Sequence, residues 1–467
     1  MEKRDVIIIG GGPAGYGAAI RVAQLGGIPM LIENDSLGGT CLNRGCIPMR
    51  ALTRAVELLE AGEDAKDYGI TYKGLSLDYT RMMSRKDTVV KTLVAGVKLL
   101  LAGNGVKVVE GRARIVSPSQ VEIEQKDGAK KIIEARRIII AAGSRCRKPS
   151  SGNGSPKILD SSQAFELAAT PPSLVIIGGG VVGVTFATIF SKLGSSVSLI
   201  EESPGILRDM DREAVAVIEK ELKRAKVRVY TEARVPAMEE GENDTLSVTV
   251  ETKGQVNTVS GHYVIMAEDR ETDVDALGLR AIGVALNAKN GVVTGPTMET
   301  NIPGLFAAGD VTMDHMWTSV AYAEGITAAN NAMGVNDEID YSVIPYWVSS
   351  IPEAAGVGLT EDEAVAQGYS VRVGRFPFAA NGMATIIGGR NGFVKVVTDE
   401  RYFQILGIHI VGPRATDLIA EAALALKLEV TPEDIGKTLH AHPSLSEALW
   451  EAAKDVSGEA IHFITKR

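Results

Sequence analysis

The sequence predicts an α/β protein that joins two Rossmann-like dinucleotide-binding domains to a C-terminal α+β domain. Three observations predict it. The chain opens on an apolar run, DVIIIG, a turn carrying Gly10, Gly12 and Gly15, and a helical stretch, AAIRVAQLG. The same unit returns as LVIIGGGVVGVTFATIFSKLG, with Gly178, Gly180 and Gly183 in the corresponding places. From about residue 344 the pattern changes to alternating strands such as GFVKVVT and ILGIHIVG, then an alanine-rich helix, AEAALALKL. Strand–turn–helix units of the first kind build parallel sheets, whereas neighbouring strands followed by helices build an α+β layer.

In the first unit the glycines let the backbone approach a pyrophosphate at the helix N-terminus, and MLIE supplies an acid, Glu33, at a strand end to bind a ribose hydroxyl. The stretch GGTCLNRGCIP follows, with two of the three cysteines of the chain, Cys41 and Cys46. A C-x4-C pair after a glycine turn can close a small disulfide loop at a helix start, where the dipole and free amides favour a thiolate. Two buried structural cysteines would give the same spacing; the neighbouring dinucleotide turn favours a redox-active dithiol. IIIAAGS, ending in Ala142, Gly143 and Ser144, reads as a buried strand with a small-residue turn, and SSGNGSP as a flexible linker or exposed turn. The second unit ends in Glu201 and Glu202. Two fingerprints imply two dinucleotides, most economically FAD and a nicotinamide. A carboxylate at Glu201 favours NAD, because it repels the 2′-phosphate of NADP, and no arginine stands beside Glu202 in sequence. TNIPGLFAAGD ends a strand at Gly309 and Asp310, an acid suited to bonding a polyol. In TPEDI, Thr431 caps a helix with Pro432 at its first position.

Composition narrows the class. A net charge of −9 argues against a nucleic-acid surface. No apolar run approaches the roughly 18 residues of a membrane span. The first strand begins by Asp5, which leaves no room for a signal or transit peptide. Three cysteines make no disulfide framework, so a reducing cytoplasm is the expected setting. His262, His315, His409 and His462 lack metal-like spacing and read as surface or core residues; His440 and Cys146 read as structural.

GGTCLNRGCIP and HAHPSLSEALWEAA, supported by FPFAANGMA, GLFAAGD and IAEAALAL, resemble the flavoprotein disulfide reductase family in its dihydrolipoamide dehydrogenase branch, over nearly the whole chain. The resemblance implies an FAD domain (1–148), an NAD domain (149–270), a central domain completing the FAD site (271–343) and a dimer-interface domain (344–467). It also implies a homodimer whose active sites are shared between subunits, acting on dihydrolipoamide or a lipoyl-bearing protein. Cys41 would exchange disulfides with the dithiol substrate and Cys46 would face the flavin. His442 would take the substrate thiol proton, and Glu447 would orient it. A histidine can take such a proton near neutral pH, and disulfide exchange needs a thiolate attacker. The implied cofactor set adds Pro13, Ala14, Gly39, Thr40, Arg50, Ala113, Val182, Val235, Asp269, Met316 and Trp317.

Departures from the family pattern gather on the nicotinamide side. The family's IPSK is here Ile47, Pro48, Met49 and Arg50, and the glutamate that pairs with its lysine is Thr185. G-R-x-P becomes Asp269, Arg270, Glu271 and Thr272, and THPE becomes Ser350, Ile351, Pro352 and Glu353. On this reading Arg50 lacks its carboxylate and favours a negatively charged reduced flavin. The acids Glu268, Asp269, Glu271, Asp273 and Asp275 oppose an anionic dinucleotide, since one like charge at about 4 Å costs roughly 4 kcal/mol at an effective dielectric near 20. Dithiol handling is expected to be preserved and NAD handling to be weak. Mercuric-type and large thioredoxin reductases are set aside because no cysteine follows Cys146, and glutathione reduction because of Glu201. Two alternatives remain: a reductase using another electron acceptor, and a flavin-bound non-enzymatic binding protein, which the intact Cys41, Cys46 and His442 disfavour.

Overall fold

A computed structural model describes residues 3–147, 154–267 and 270–464. The first residues of SSGNGSP, and both Glu268 and Asp269, lie outside the described residues. The strand Lys3–Ile9 runs parallel to Pro29–Glu33 on one side and Lys130–Ile140 on the other. Its apolar run has no alternation because both faces are covered. Val6 and Ile8 pack into one core cluster with the helix Pro13–Gln24, and Ile7 and Ile9 pack into another. A late strand, Leu305–Ala307, returns to this same sheet and pairs with Lys130–Ile140, which brings Gly309 and Asp310 to the first glycine turn.

The second unit repeats the plan. Ser173–Ile177, Ser196–Ile200 and Tyr263–Met266 lie parallel in a five-stranded sheet. Leu174 and Ile176 face the helix Val181–Lys192, while Val175 and Ile177 face a three-stranded antiparallel sheet, Ala233–Glu240 to Gln255–Gly261. A short ladder, Arg145–Cys146 with Arg270–Glu271, links the two units.

The C-terminal sheet is antiparallel, and its central strands Phe393–Asp399 and Ile405–Gly412 are buried along almost their whole length. One face carries the helices Ala415–Lys427 and Glu447–Asp455. The other meets the start of the helix Arg212–Arg224, so side chains that alternate away from the helices are covered too. Lys395, 2% exposed, lies there with its Nζ 2.8 Å from Asp211, 2.6 Å from Glu213 and 2.8 Å from Glu361. Glu213 is held down to about 2, by its hydrogen bond from Arg375 first, against burial, and then by Lys395. Because that carboxyl is lowered, its contribution is full above its ordinary range and fades as pH falls towards 2. Lys395→Met leaves Asp211, 3% exposed, without its cation. The expected loss is about 3–5 kcal/mol, read as a lower denaturant midpoint; an unmoved midpoint would contradict it. The helix Pro432–Lys437 starts as expected: Thr431 and Asp434 form a capping box, with Pro432 in the first turn.

Candidate functional site

The two glycine turns are built alike. Gly10 and Gly178 stand at φ +105° and +107°, and a Cβ on Gly15 or Gly183 would come within 1.8 Å of the carbonyl oxygen of Gly10 or Gly178. The third glycine of each fingerprint thus seats helix on strand. Glu33 Oε2 accepts from the Gly11 amide at 2.6 Å and Oε1 from Asp35 at 2.7 Å. Glu201 does the same with Gly179 at 2.6 Å and Ser203 at 2.7 Å. Burial pushes the Glu33 carboxyl above its ordinary value, against the lowering by the amides of Gly11, Asn34 and Ser36 and by Arg44.

Both turns open on one continuous cavity of about 2430 Å³, well beyond the roughly 300–1,000 Å³ of an ordinary small-molecule pocket. Gly10, Gly12, Pro13, Ala14, Glu33, Gly39, Thr40, Ala113, Ala142, Gly143, Ser144, Gly309, Asp310, Met316 and Trp317 line its first arm; Gly178, Gly180, Val182 and Glu201 line the second. These residues fit two dinucleotides: each arm has a turn for a pyrophosphate and a strand-end carboxylate for a ribose. Gly15 and Gly183 lie beneath the turns, and Val235 packs into the core beside the second sheet instead of lining the cavity.

Between the arms lie the cysteines. Cys41 belongs to the helix Gly39–Arg44 and Cys46 opens the helix Cys46–Asp64. Both are thiols here. Cys46 Sγ is 3.5 Å from Thr318 Oγ1. Interaction with Cys41 lowers the Cys46 thiol to about 6 against burial, helped by Thr318 and its own amide. The same interaction and burial push Cys41 upward. One thiolate and one thiol share the pair.

His442 and Glu447 stand apart from this cavity. His442 Nδ1 is 2.8 Å from Glu447 Oε1, and Glu447 Oε2 accepts from the Ser444 amide at 2.8 Å. Burial opposes ionisation of Glu447, but the Ser444 amide and His442 outweigh it and hold the carboxyl below its ordinary value. The His442 side chain is 79% exposed. His440 is a buried neighbour bonded to Glu421 at 2.8 Å and to the Thr438 carbonyl at 3.0 Å, which suits a structural role. Among the described residues no group of three His, Cys, Asp or Glu could hold a metal ion.

Several sequence expectations are corrected. Arg50 has a carboxylate: its Nη1 lies 2.6 Å from Glu353 Oε1 and 3.0 Å from Ser349 Oγ, with the guanidinium over the Trp347 ring. It does not line the cavity, whereas Met49, Trp347 and Ser349 do. Thr185 turns its hydroxyl back to the Val181 carbonyl at 2.7 Å. Among the described residues, the acids of the run are paired instead of forming an open negative field. Arg145 reaches Glu271 and Asp273, each at 3.0 Å, and Arg280 reaches Asp275 at 3.1 Å. Arg270 leans onto the first arm, donating from Nε to Ser144 Oγ at 2.6 Å and from Nη2 to Thr40 Oγ1 at 3.4 Å. Glu202 has an arginine beside it in space, Arg234 at 2.8 Å. Asp269 lies outside the described residues.

Sequence reasoning also missed Glu324, which is fully buried. It accepts from the Gly309 amide at 2.6 Å and from Tyr341 at 2.7 Å, and burial raises it to about 7. An acid inside the small-residue helix AYAEGITAAN was the available signal.

Comparison with known proteins agrees with this architecture. Residues 4–334 match the family profile described as pyridine nucleotide-disulphide oxidoreductase, and residues 344–453 match its dimerisation domain. The chain is 40% identical to a dihydrolipoyl dehydrogenase of Thermus scotoductus over 100% of both chains. It is 38% identical to one of Bacillus subtilis, over 98% of this chain and 99% of the other. Among solved structures, LpdA from Mycobacterium tuberculosis superposes with a TM-score of 0.90 at 26% identity, covering 97% of this chain and 99% of that one. The HOCl-induced flavoprotein disulfide reductase RclA of Escherichia coli, solved as a Cu(II) complex, gives 0.87 at 25% identity over 97% and 99%. With both parts of the profile matched in order and relatives similar from end to end, the chain belongs to the pyridine nucleotide-disulphide oxidoreductase family.

Proposed function

We propose that the chain is an FAD- and NAD-dependent dihydrolipoyl dehydrogenase, working as a homodimer on dihydrolipoamide or a lipoyl-bearing protein in a reducing cytoplasm. The observation that carries the reading is the placement of Cys41 and Cys46, on two consecutive helices, in one cavity between two dinucleotide turns. Its dihydrolipoyl dehydrogenase relatives support the choice of substrate.

The cycle starts with Cys41 and Cys46 as a disulfide. A substrate thiolate attacks Cys41 Sγ, the Cys41–Cys46 bond breaks, and Cys46 leaves as the thiolate its surroundings favour. The second substrate sulfur then displaces Cys41, closing the lipoyl disulfide. His442, with Nδ1 bonded to Glu447, has Nε2 free to take the substrate proton. Bound FAD would accept the pair's two electrons and pass them on as hydride to NAD. In sum the dithiol loses two electrons and two protons; NAD would carry off both electrons with one proton, and the other proton passes to solvent.

Gly10, Gly12, Pro13, Ala14, Glu33, Thr40 and Asp310 would hold FAD, with Arg270 against the same arm. Gly178, Gly180, Val182 and Glu201 would hold NAD. Because the acids near the ladder are paired with arginines, they offer less opposition to NAD than the bare sequence suggests.

The test is steady-state oxidation of dihydrolipoamide by the FAD-loaded protein, run in parallel with NAD and with an artificial dye as acceptor. Turnover with both acceptors is expected. Dye reduction without NAD reduction would favour the alternative acceptor, and the absence of turnover with both acceptors would overturn the enzyme reading.

A further inference from the structure

The ion pair beside the dithiol has moved. Arg50 lies one turn beyond Cys46 on the helix Cys46–Asp64, so the two side chains share a face. The helix Val181–Lys192 packs against this one, and its Thr185 bonds its own helix and offers no charge. Arg50 is instead drawn towards the C-terminal sheet, onto Glu353 at 2.6 Å and Ser349 at 3.0 Å, with its guanidinium carbon 5.2 Å from the centre of the Trp347 ring. Ser349 Oγ in turn donates to Thr53 Oγ1 at 3.4 Å, on the same helix as Arg50.

Glu353 is well placed to fix it. Its side chain is 8% exposed, and its second oxygen accepts from the Thr416 amide at 3.0 Å, in the first turn of the helix Ala415–Lys427. A buried carboxylate with one oxygen on a helix start and the other on a guanidinium has little freedom to turn away. Trp347 and Ser349, which touch the guanidinium, also line the cavity that holds Cys46.

We propose that Glu353 is the relocated counter-ion of Arg50: a positioning residue that holds the guanidinium one layer behind the cavity wall and cancels its charge there. The proposal rests on the reading that this cavity binds FAD beside Cys46. It makes the electron affinity of the flavin depend on a carboxylate from the C-terminal sheet, not on one from the nicotinamide-binding helix. A positive charge near a group that gains electrons raises its potential, and a negative charge lowers it, so each half of the pair has a predictable sign.

The test measures FAD content and then the two-electron midpoint potential of the bound flavin in the full-length dimer. Failure of the unaltered protein to retain FAD would count against the functional reading, not the ion pair. With FAD retained, Glu353→Gln is expected to raise the potential, Arg50→Met to lower it, and the double variant to return close to the unaltered protein. In Glu353→Gln the ratio of NAD-linked to dye-linked dithiol oxidation should fall about tenfold or more. Adding Thr185→Glu to Glu353→Gln should move both quantities back by supplying a carboxylate from the other side. Unmoved potentials, shifts of the same sign in both single variants, or a double variant farther from the unaltered protein than either single would overturn the proposal. If Glu353→Gln alone does not fold, the double variant, which leaves no unpaired charge, decides by comparison with Arg50→Met: a double variant as low in potential as Arg50→Met would overturn the proposal.

Discussion

Cys46→Ser is expected to abolish dihydrolipoamide oxidation with either acceptor while leaving FAD bound. Apart from Thr40, the residues placed to hold FAD lie in other segments, Gly10 to Ala14, Glu33 and Asp310, and serine exchanges only sulfur for the smaller oxygen. What is lost is the sulfur that leaves when substrate attacks Cys41. The thiols also give a pH signature. In the reduced protein, alkylation by iodoacetamide should rise with a midpoint near 6, where the Cys46 thiol is placed, well below the roughly 8.5 of a free cysteine. The direction follows from the lowered value: the pair carries its thiolate above about 6 and loses it as pH falls below. In Cys46→Ser that midpoint should vanish, leaving Cys41 to react only at alkaline pH because burial still pushes its thiol upward. Peptide mass spectrometry across pH 5–10 reads both proteins. Undiminished dithiol turnover in the variant, or one ordinary midpoint in both proteins, would sink the assignment.

The two dinucleotide units were legible because their signal is local. A glycine required at φ +105°, or one whose added Cβ would fall 1.8 Å from a carbonyl oxygen, leaves its mark at a fixed spacing, as does the acid that closes each unit. The cysteine pair and the capped helix at Thr431 were legible for the same reason. What the sequence hid was pairing across long separations. Glu353 lies some three hundred residues from Arg50 and reaches it only because the C-terminal sheet packs against the redox helix. Arg145 lies far from Glu271 in the chain and meets it across a two-residue ladder. A run of acids therefore reads as a repulsive field in one dimension and as a set of ion pairs in three. Lys395 and His409 were hidden in another way. Alternation along their strands turns them away from the helices, and only the neighbouring unit, with Asp211 and Glu213, shows that this face is covered as well.

The largest effect away from the cysteines is expected at His442. Neither His442 nor Glu447 lines the cavity that holds Cys41 and Cys46, and the imidazole is mostly exposed within its own chain. Three residues before it Leu439 is 98% exposed, and the helix Ala415–Lys427, which His440 reaches through Glu421, exposes Leu424 as well; residues 344–453 match a dimerisation domain. A base presented on such a surface can serve the dithiol of a second subunit across a two-fold interface, where each side gives what it receives. His442→Ala should then lower dihydrolipoamide oxidation about 10²–10⁴-fold, the usual loss when a general base is removed. Glu447→Gln should have a smaller effect, because the ring keeps its proton-accepting atom and loses only the charge that orients it. Subunit exchange separates a shared site from one contained in a single chain. A heterodimer of His442→Ala with Cys41→Ser has one site with both defects and one with neither, so exchange of two nearly inactive proteins should restore activity. Random mixing of equal amounts makes about half the dimers mixed, each with one intact site of two, so recovery should approach about a quarter of the unaltered rate. Native mass spectrometry would establish that mixed dimers form. Mixed dimers without recovered turnover would place the base and the disulfide within one chain and remove the shared site.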